Sequence, residues 1–160
     1  MIKKLQHDFV SQNITLSTAE SCTGGNIAHQ LTLIPSSSEY FIGSVVSYSN
    51  LIKENVLGVN SFDIVKFGAV SEQVAIQMAE GVRGLMNTDF AISSTGIAGP
   101  TGGTAEKPVG TVWIGISSRS ETFARKFNFE GSRKSIIKKT TEKALELLTE
   151  TVEGSQLNRI

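Results

Sequence analysis

The chain has 160 residues with 15 basic and 15 acidic side chains, so its formal net charge is zero. A domain of this size buries enough surface to fold without a disulfide or a metal, and the missing basic excess argues against a nucleic-acid-binding protein. One cysteine, Cys22, and two histidines leave no intramolecular disulfide and no zinc site built from several Cys or His ligands.

No segment of the sequence has the pattern of a secretion or membrane signal. Residues 1–13 carry two lysines but lack the apolar core of a signal peptide. No stretch approaches the roughly 18 consecutive apolar residues that a membrane span needs. We therefore expect a cytoplasmic protein without membrane contact, in one domain over residues 1–160.

The first half of the chain predicts alternating helices and strands. Apolar residues recur at helical spacing in residues 2–12 and alternate with hydroxyl residues in 14–19, which predicts a helix and then a strand. Small polar residues and two glycines then lead into a helix that ends near Ile34. The next predicted elements are a loop at 36–38, a strand at 41–49, and helices at 51–58, 61–68 and 71–86.

The second half predicts mainly strands before one closing helix. A strand at 89–95 is followed by a glycine- and proline-rich loop at 96–108. Two strands of a hairpin, an amphipathic helix and a frayed tail are predicted at 110–118, 121–130, 132–152 and 153–160. Because helices and strands intermix while two strands pair locally, we expect the α/β class, as a three-layer α/β/α sandwich on a mixed β-sheet.

The segment AESCTGG, residues 19–25, follows the first strand and is the first candidate site. A nucleophile at a strand-to-helix turn lies beside free backbone N–H groups, which can stabilise an oxyanion. The candidate nucleophiles are Ser21, Cys22 and Thr23. The alternatives are a plain helix cap by Ser21 or Thr23 and a buried, unreactive Cys22.

A serine nucleophile needs a base, and neither histidine is well placed to be one. His7 is predicted on the first helix, and His29 lies about two helical turns after Ser21. A Ser–Lys dyad is the other option. Lys53 follows the YSN segment at the start of a short helix, where the helix field lowers the pKa of a lysine. The alternative is that Lys53 is a solvated surface lysine.

Two further segments have features of a phosphate site. The segment STGIAGPTGG, residues 94–103, has four glycines whose neighbouring N–H groups can form an anion-binding nest, although the P-loop spacing is absent. EGSRKS places Arg133 at the start of the last helix, where an anion is favoured. The alternatives are a structural turn in the first segment and a capping serine with a surface arginine in the second.

Together these motifs resemble the nicotinamide-nucleotide amidase family, which is the carboxy-terminal domain of the competence/damage-inducible protein CinA. The motifs are TAESCTGG, YSN with a lysine three residues later, GAVSE, GIAGPTGG and KPVGTVW, in this order. The resemblance covers residues 3–150. It implies the three-layer fold, a homo-oligomer, and a stand-alone form without the N-terminal molybdopterin-binding-like domain of the longer proteins.

The resemblance also implies an activity, namely hydrolysis of the carboxamide of nicotinamide mononucleotide to nicotinic acid mononucleotide and ammonia. This reaction feeds pyridine-nucleotide recycling and needs no metal and no cofactor. The family's nucleophile corresponds to Ser21 and its lysine partner to Lys53, with Tyr48 at the same site.

The remaining candidate site residues surround this dyad. The oxyanion is expected to bind backbone groups of Cys22, Thr23 and Gly24. The substrate is expected to contact Arg133 and the glycine-rich loop through Thr95, Gly96, Gly99, Pro100, Gly102 and Gly103. Thr95 departs from the family's pattern, which has a serine before the glycine of SGIAGP, but it retains the hydroxyl. The roles of Glu20 and Cys22 stay open.

The sequence leaves three other functions open. A non-catalytic nucleotide-binding or regulatory module would bind the mononucleotide without consuming it. An interaction protein in DNA uptake or repair is suggested only by the family's name, and the neutral charge argues against direct DNA contact. A related amidase with another pyridine substrate is the nearest enzymatic alternative.

Overall fold

All five strands predicted from the sequence are present in the structure, a computed structural model that describes residues 1–157. The strands are β1 Leu16–Glu20, β2 Phe41–Val46, β3 Phe90–Gly96, β4 Thr111–Ser117 and β5 Thr122–Asn128. The helices are α1 Ile2–Ser11, α2 Asn26–Thr32, α3 Asn50–Asn55, α4 Ser61–Phe67, α5 Glu72–Met86 and α6 Arg133–Leu157. A short 3-10 turn, Ser37–Glu39, lies in the predicted loop.

The strands form one mixed sheet with the order β2-β1-β3-β4-β5. β1 pairs in parallel with β2 and β3, whereas β4 is antiparallel to both β3 and β5. Because β1, β2 and β3 run in one direction, their carboxyl ends share one edge of the sheet. In this register Glu20 lies opposite both Val46 and Ser94, so the loops after these strands lie side by side.

Helices cover both faces of the sheet, which confirms the predicted three-layer sandwich. Successive strand residues point to opposite faces. Ala91 accordingly joins the buried cluster that contains Met78 of α5, and Ile92 joins the cluster that contains Phe9 of α1 and Leu148 of α6. Within residues 1–157, none of these helices combines the length and the apolar character needed to cross a membrane.

Two predicted boundaries are wrong. The strand predicted at 41–49 ends at Val46, because Ser49 instead accepts a hydrogen bond from the amide of Ile52 and caps α3. The tail predicted to fray from residue 153 is helical as far as Leu157. Val152 is 3% exposed and extends the buried apolar stripe of α6, which stabilises this last part of the helix. The remaining tail, 158–160, lies outside the described residues.

Candidate active site

Ser21 and Lys53 meet at the carboxyl edge of the parallel strands, as the sequence predicted. Ser21 directly follows β1, and Lys53 lies on α3. The Lys53 Nζ lies 3.0 Å from the Ser21 Oγ and donates a hydrogen bond of 2.7 Å to the carbonyl oxygen of Ser47. Lys53 is only 1% exposed, and no carboxylate within residues 1–157 forms an ion pair with it.

Burial lowers the pKa of Lys53 from the ordinary lysine value of 10.5, because the ammonium form loses its hydration in the interior. A thiolate at Cys22 would oppose this effect, but burial raises the pKa of the Cys22 thiol to about 12. The thiol is therefore neutral near pH 7. The fraction of Lys53 in the neutral amine form is increased, and that form can accept the proton of Ser21.

The predicted cause of this pKa shift was wrong. The sequence suggested that Lys53 lies at the start of its helix, where the helix field would disfavour a cation. In the structure α3 begins at Asn50, and Lys53 lies in the last turn of this short helix, where the helix field favours a cation. Loss of hydration on burial therefore accounts for the lowered pKa.

The turn after Ser21 offers two of the three predicted oxyanion donors. Within residues 1–157, no oxygen accepts a hydrogen bond from the amide N–H of Cys22 or Thr23. The prediction that Gly24 donates to the oxyanion is wrong, because its N–H already donates a hydrogen bond of 3.1 Å to the carbonyl oxygen of Ser21. That bond closes a tight turn in which Gly24 has a φ of +59°, a conformation that favours glycine.

A pocket of about 270 Å³ opens beside Ser21. The guanidinium of Arg133 donates to the carbonyl oxygen of Gly99 at 2.7 Å and to the Tyr48 hydroxyl at 2.8 Å. It therefore bridges the glycine-rich loop and Tyr48, and it keeps further N–H donors for an anion. The other residues that line the pocket are Cys22, Gly96, Ile97, Ala98, Thr101 and Gly102.

Three residues predicted to contact the substrate do not line this pocket. Thr95 is 1% exposed, and its hydroxyl donates to the carbonyl oxygen of Ala69 at 2.8 Å, so it stabilises the segment before α5. Pro100 and Gly103 belong to the loop but lie outside the pocket wall. A Cβ at Gly103 would lie 2.7 Å from the amide nitrogen of Val109, so this glycine is needed for close backbone packing.

Two contributors to the site were missed or left open by the sequence. The carbonyl oxygen of Ser47 holds the Lys53 amine, and a backbone acceptor has no sequence signature. Glu20 is fully buried at the end of β1 and accepts hydrogen bonds from the start of α2. An acidic residue directly after the predicted strand 14–19 and directly before the candidate nucleophile was the signal that could have found it.

A larger cavity of about 640 Å³ lies elsewhere, between α1, α2 and α6. Ile34 and Leu145 are among its lining residues, and it contains neither Ser21 nor Lys53. Within residues 1–157, no group of three or more His, Cys, Asp or Glu side chains is placed to hold a metal ion. Because the larger cavity contains neither member of the Ser–Lys pair, the smaller pocket beside Ser21 is the candidate active site.

Comparison with known sequences places the whole domain in one family. The sequence model of the CinA C-terminal domain matches residues 1–152. The CinA-like protein of Endomicrobium trichonymphae is 55% identical over 134 residues, which are 84% of this chain and 31% of that protein. The CinA-like protein of Salinibacter ruber is 54% identical over 123 residues, 77% of this chain and 30% of that protein. This chain thus spans about a third of the length of these relatives.

Solved structures agree with this result. The competence/damage inducible protein CihA from Agrobacterium tumefaciens superposes with a TM-score of 0.91 at 40% identity, covering 93% of this chain and 92% of that one. The competence damage-inducible protein A (ComA) from Klebsiella pneumoniae gives a TM-score of 0.92 at 33% identity, covering 95% and 94%. The chain belongs to the CinA C-terminal domain family.

Proposed function

We propose that the protein is an amidase that hydrolyses the carboxamide of nicotinamide mononucleotide to nicotinic acid mononucleotide and ammonia. The observation that carries the proposal is the contact between Ser21 and the buried Lys53, whose Oγ and Nζ are 3.0 Å apart. A serine with a lysine base is a recurring arrangement for acyl transfer. Arg133 at the same pocket supplies the planar cation that suits a phosphate group.

The acylation step uses groups that already lie in contact. Neutral Lys53 takes the proton of Ser21, and the serine oxygen attacks the carboxamide carbon. The amides of Cys22 and Thr23 donate to the oxyanion that forms. Protonated Lys53 then donates its proton to the departing nitrogen, ammonia leaves, and an ester on Ser21 remains.

Deacylation uses the same lysine, with water as the nucleophile and Ser21 as the leaving group. Lys53 takes a proton from water, and the resulting hydroxide attacks the ester carbonyl carbon. The proton then returns to the oxygen of Ser21, which leaves the carbonyl carbon as the serine is restored. The sum of both steps is one amide and one water converted to one carboxylic acid and one ammonia, with the enzyme unchanged.

The test of this proposal is ammonia release from nicotinamide mononucleotide in the presence of a chelator. We expect turnover by the wild type and none above background by Ser21→Ala. Ser11→Ala is the matched control, because it removes an exposed serine hydroxyl at the end of α1 that donates only to the carbonyl oxygen of Asp8. If the wild type releases no ammonia while the nucleotide raises its Tm, the domain is a non-catalytic binding module and the amidase proposal is wrong.

A further inference from the structure

Glu20 is a buried carboxylate that the proposed mechanism does not use. We propose that it is a positioning residue, which holds the turn at residues 21–25 so that the amides of Cys22 and Thr23 face the reacting carbonyl. This inference rests on the proposed amidase function, because it concerns the same site.

The contacts of Glu20 are all hydrogen-bond donors, and most of them come from the turn and from α2. Its Oε2 accepts from the amides of Gly25 at 3.1 Å and Ile27 at 3.0 Å, and from the Thr23 hydroxyl at 2.6 Å. Its Oε1 accepts from the amide of Ala28 at 2.8 Å and, over a longer 3.4 Å, from the hydroxyl of Thr18 on β1. Glu20 is 0% exposed and has no cationic partner within residues 1–157, so these donors alone compensate its lost hydration.

These contacts decide which amides of the turn remain free. The free N–H groups at the start of a helix commonly bind anions. Here three of them, the amides of Gly25, Ile27 and Ala28, already donate hydrogen bonds to Glu20. The amide of Gly24 is bound to the carbonyl of Ser21. The amides of Cys22 and Thr23, directly after the nucleophile, are the ones left without an acceptor within the described residues.

The side chain of Thr23 is also hydrogen-bonded to Glu20. A carboxylate only accepts, so the Thr23 hydroxyl donates its proton to Glu20. The Ser94 hydroxyl, 2.7 Å from the Thr23 Oγ1, must then be the donor of that pair. The Thr23 side chain is therefore held between the Glu20 carboxylate and the Ser94 hydroxyl.

Glutamine cannot reproduce this arrangement, although it has nearly the same shape. A carboxylate offers two accepting oxygens, and both are used here. An amide offers one oxygen and one NH₂ donor, so the NH₂ of Glu20→Gln would face an N–H donor of the turn. The turn must then shift.

Asp89→Asn is a matched control for Glu20→Gln. Asp89 is also a carboxylate that accepts from a backbone amide and a hydroxyl, both of Thr15, at 2.9 Å and 3.0 Å. It directly precedes β3, whereas Ser94 lies near the other end of that strand. Ser94 is five residue positions after Asp89, which corresponds to roughly 16 Å of extended chain, so this control perturbs a similar network away from the pocket.

The experiment measures kcat, KM and Tm for ammonia release from nicotinamide mononucleotide at a temperature where every variant is folded. We expect Glu20→Gln to lower kcat by about 10²-fold with little change in KM, because displaced donors are lost mainly in the transition state. We expect Asp89→Asn to lower Tm but to keep kcat. Unchanged kcat in Glu20→Gln, or a rise in KM alone, would overturn the proposal.

A second readout separates this inference from the proposed function. An alkyl fluorophosphonate forms an Oγ–P bond on an activated serine and releases fluoride, and its phosphoryl oxygen needs the same N–H donors. If the wild type releases no ammonia, the amidase proposal fails, but we still expect Ser21 to be labelled and Glu20→Gln to be labelled about 10²-fold more slowly. Equal labelling of both, or no labelling of the wild type, would overturn the positioning role.

Discussion

Ionisable side chains at the two ends of the central sheet differ in their exposure and in whether they form ion pairs. At the amino end, Asp89 keeps 22% of its side chain exposed and pairs with Arg119, which is 71% exposed. At the carboxyl end, Glu20 and Lys53 are 0% and 1% exposed, and neither forms an ion pair within residues 1–157. The partly exposed ion pair at the amino end changes the free energy of folding little. A charge buried without a counter-ion lowers the stability of the fold much more.

This difference supports the carboxyl end of the sheet as the place of the proposed reaction. A lysine that only stabilised the fold would point its amine to solvent. Burial of Lys53 instead lowers its pKa, which makes the amine a better base for Ser21. Replacing groups at the carboxyl end should therefore change activity, and replacing groups at the amino end should change stability.

The largest expected effect is that of Lys53→Met. The methionine fills the volume of the lysine stem but accepts no proton, so we expect kcat to fall by on the order of 10³-fold or more. Lys107→Met is the control, since Lys107 also donates to a backbone carbonyl, that of Phe67, but is outside the pocket beside Ser21. An activity of Lys53→Met near that of the wild type would show that another group is the base.

The pH dependence of kcat/KM should report the same lysine. The neutral amine is the active form, so activity rises with pH as Lys53 loses its proton. Because burial lowers the pKa of Lys53, we expect the half-maximal point of this rise at a pH below the ordinary lysine value of 10.5. A pH–rate profile from pH 5 upward would check this, and a rise centred at or above 10.5 would contradict it.

A smaller effect is expected from Arg133→Ala, which removes the proposed phosphate contact. A charge-assisted hydrogen bond is worth about 1.5–3 kcal/mol, so KM for the mononucleotide should rise by about 10- to 150-fold. The nucleoside without the phosphate should show no such loss. Arg125→Ala, which removes an exposed arginine from β5, is the control. Equal losses for nucleotide and nucleoside would mean that Arg133 does not bind the phosphate.

The smallest effect is expected at the amino end, from Asp89→Asn. Burial alone would raise the pKa of Asp89, but hydrogen bonds from Thr15 and Arg119 outweigh it and lower the pKa below 3.8. A carboxyl group with a lowered pKa stabilises the fold above its unfolded pKa and loses this contribution as pH falls through its folded pKa. We expect Tm at pH 7 to fall by about 2–4 °C.

Varying the pH tests whether the charge of Asp89 causes this change in Tm. The difference in Tm between wild type and Asp89→Asn should shrink as the pH falls below 3.8, because the wild-type carboxylate then becomes protonated. Thermal melts at several pH values measure this directly. A difference that does not depend on pH would show that packing rather than charge gives Asp89 its contribution.

The sequence was sufficient to predict that Ser21 and Lys53 are neighbours. A serine nucleophile needs a base, neither histidine was well placed, and the family resemblance assigned both residues to one site. The alternation of apolar residues and the glycine-rich turns gave all five strands. Strands and turns follow from local residue patterns, which can be recognised in the sequence.

The details of the site depend on contacts that sequence patterns do not report. Ser94 and Thr95 are adjacent hydroxyl residues on β3, and their side chains point to opposite faces. Only the register shows that Ser94 contacts Thr23 while Thr95 contacts Ala69. The availability of the Cys22 and Gly24 amides likewise depends on backbone hydrogen bonds that carry no side-chain signature.

The proposed mechanism requires that Ser21 forms an acyl ester with the substrate. Hydroxylamine competes with water for such an ester and converts it to a hydroxamate, so its product reports the intermediate directly. We predict that wild-type protein incubated with nicotinamide mononucleotide and hydroxylamine forms the nucleotide hydroxamate, and that Ser21→Ala does not. Ammonia release by the wild type without any hydroxamate, even at high hydroxylamine concentration, would contradict the account, because water would then attack the amide directly.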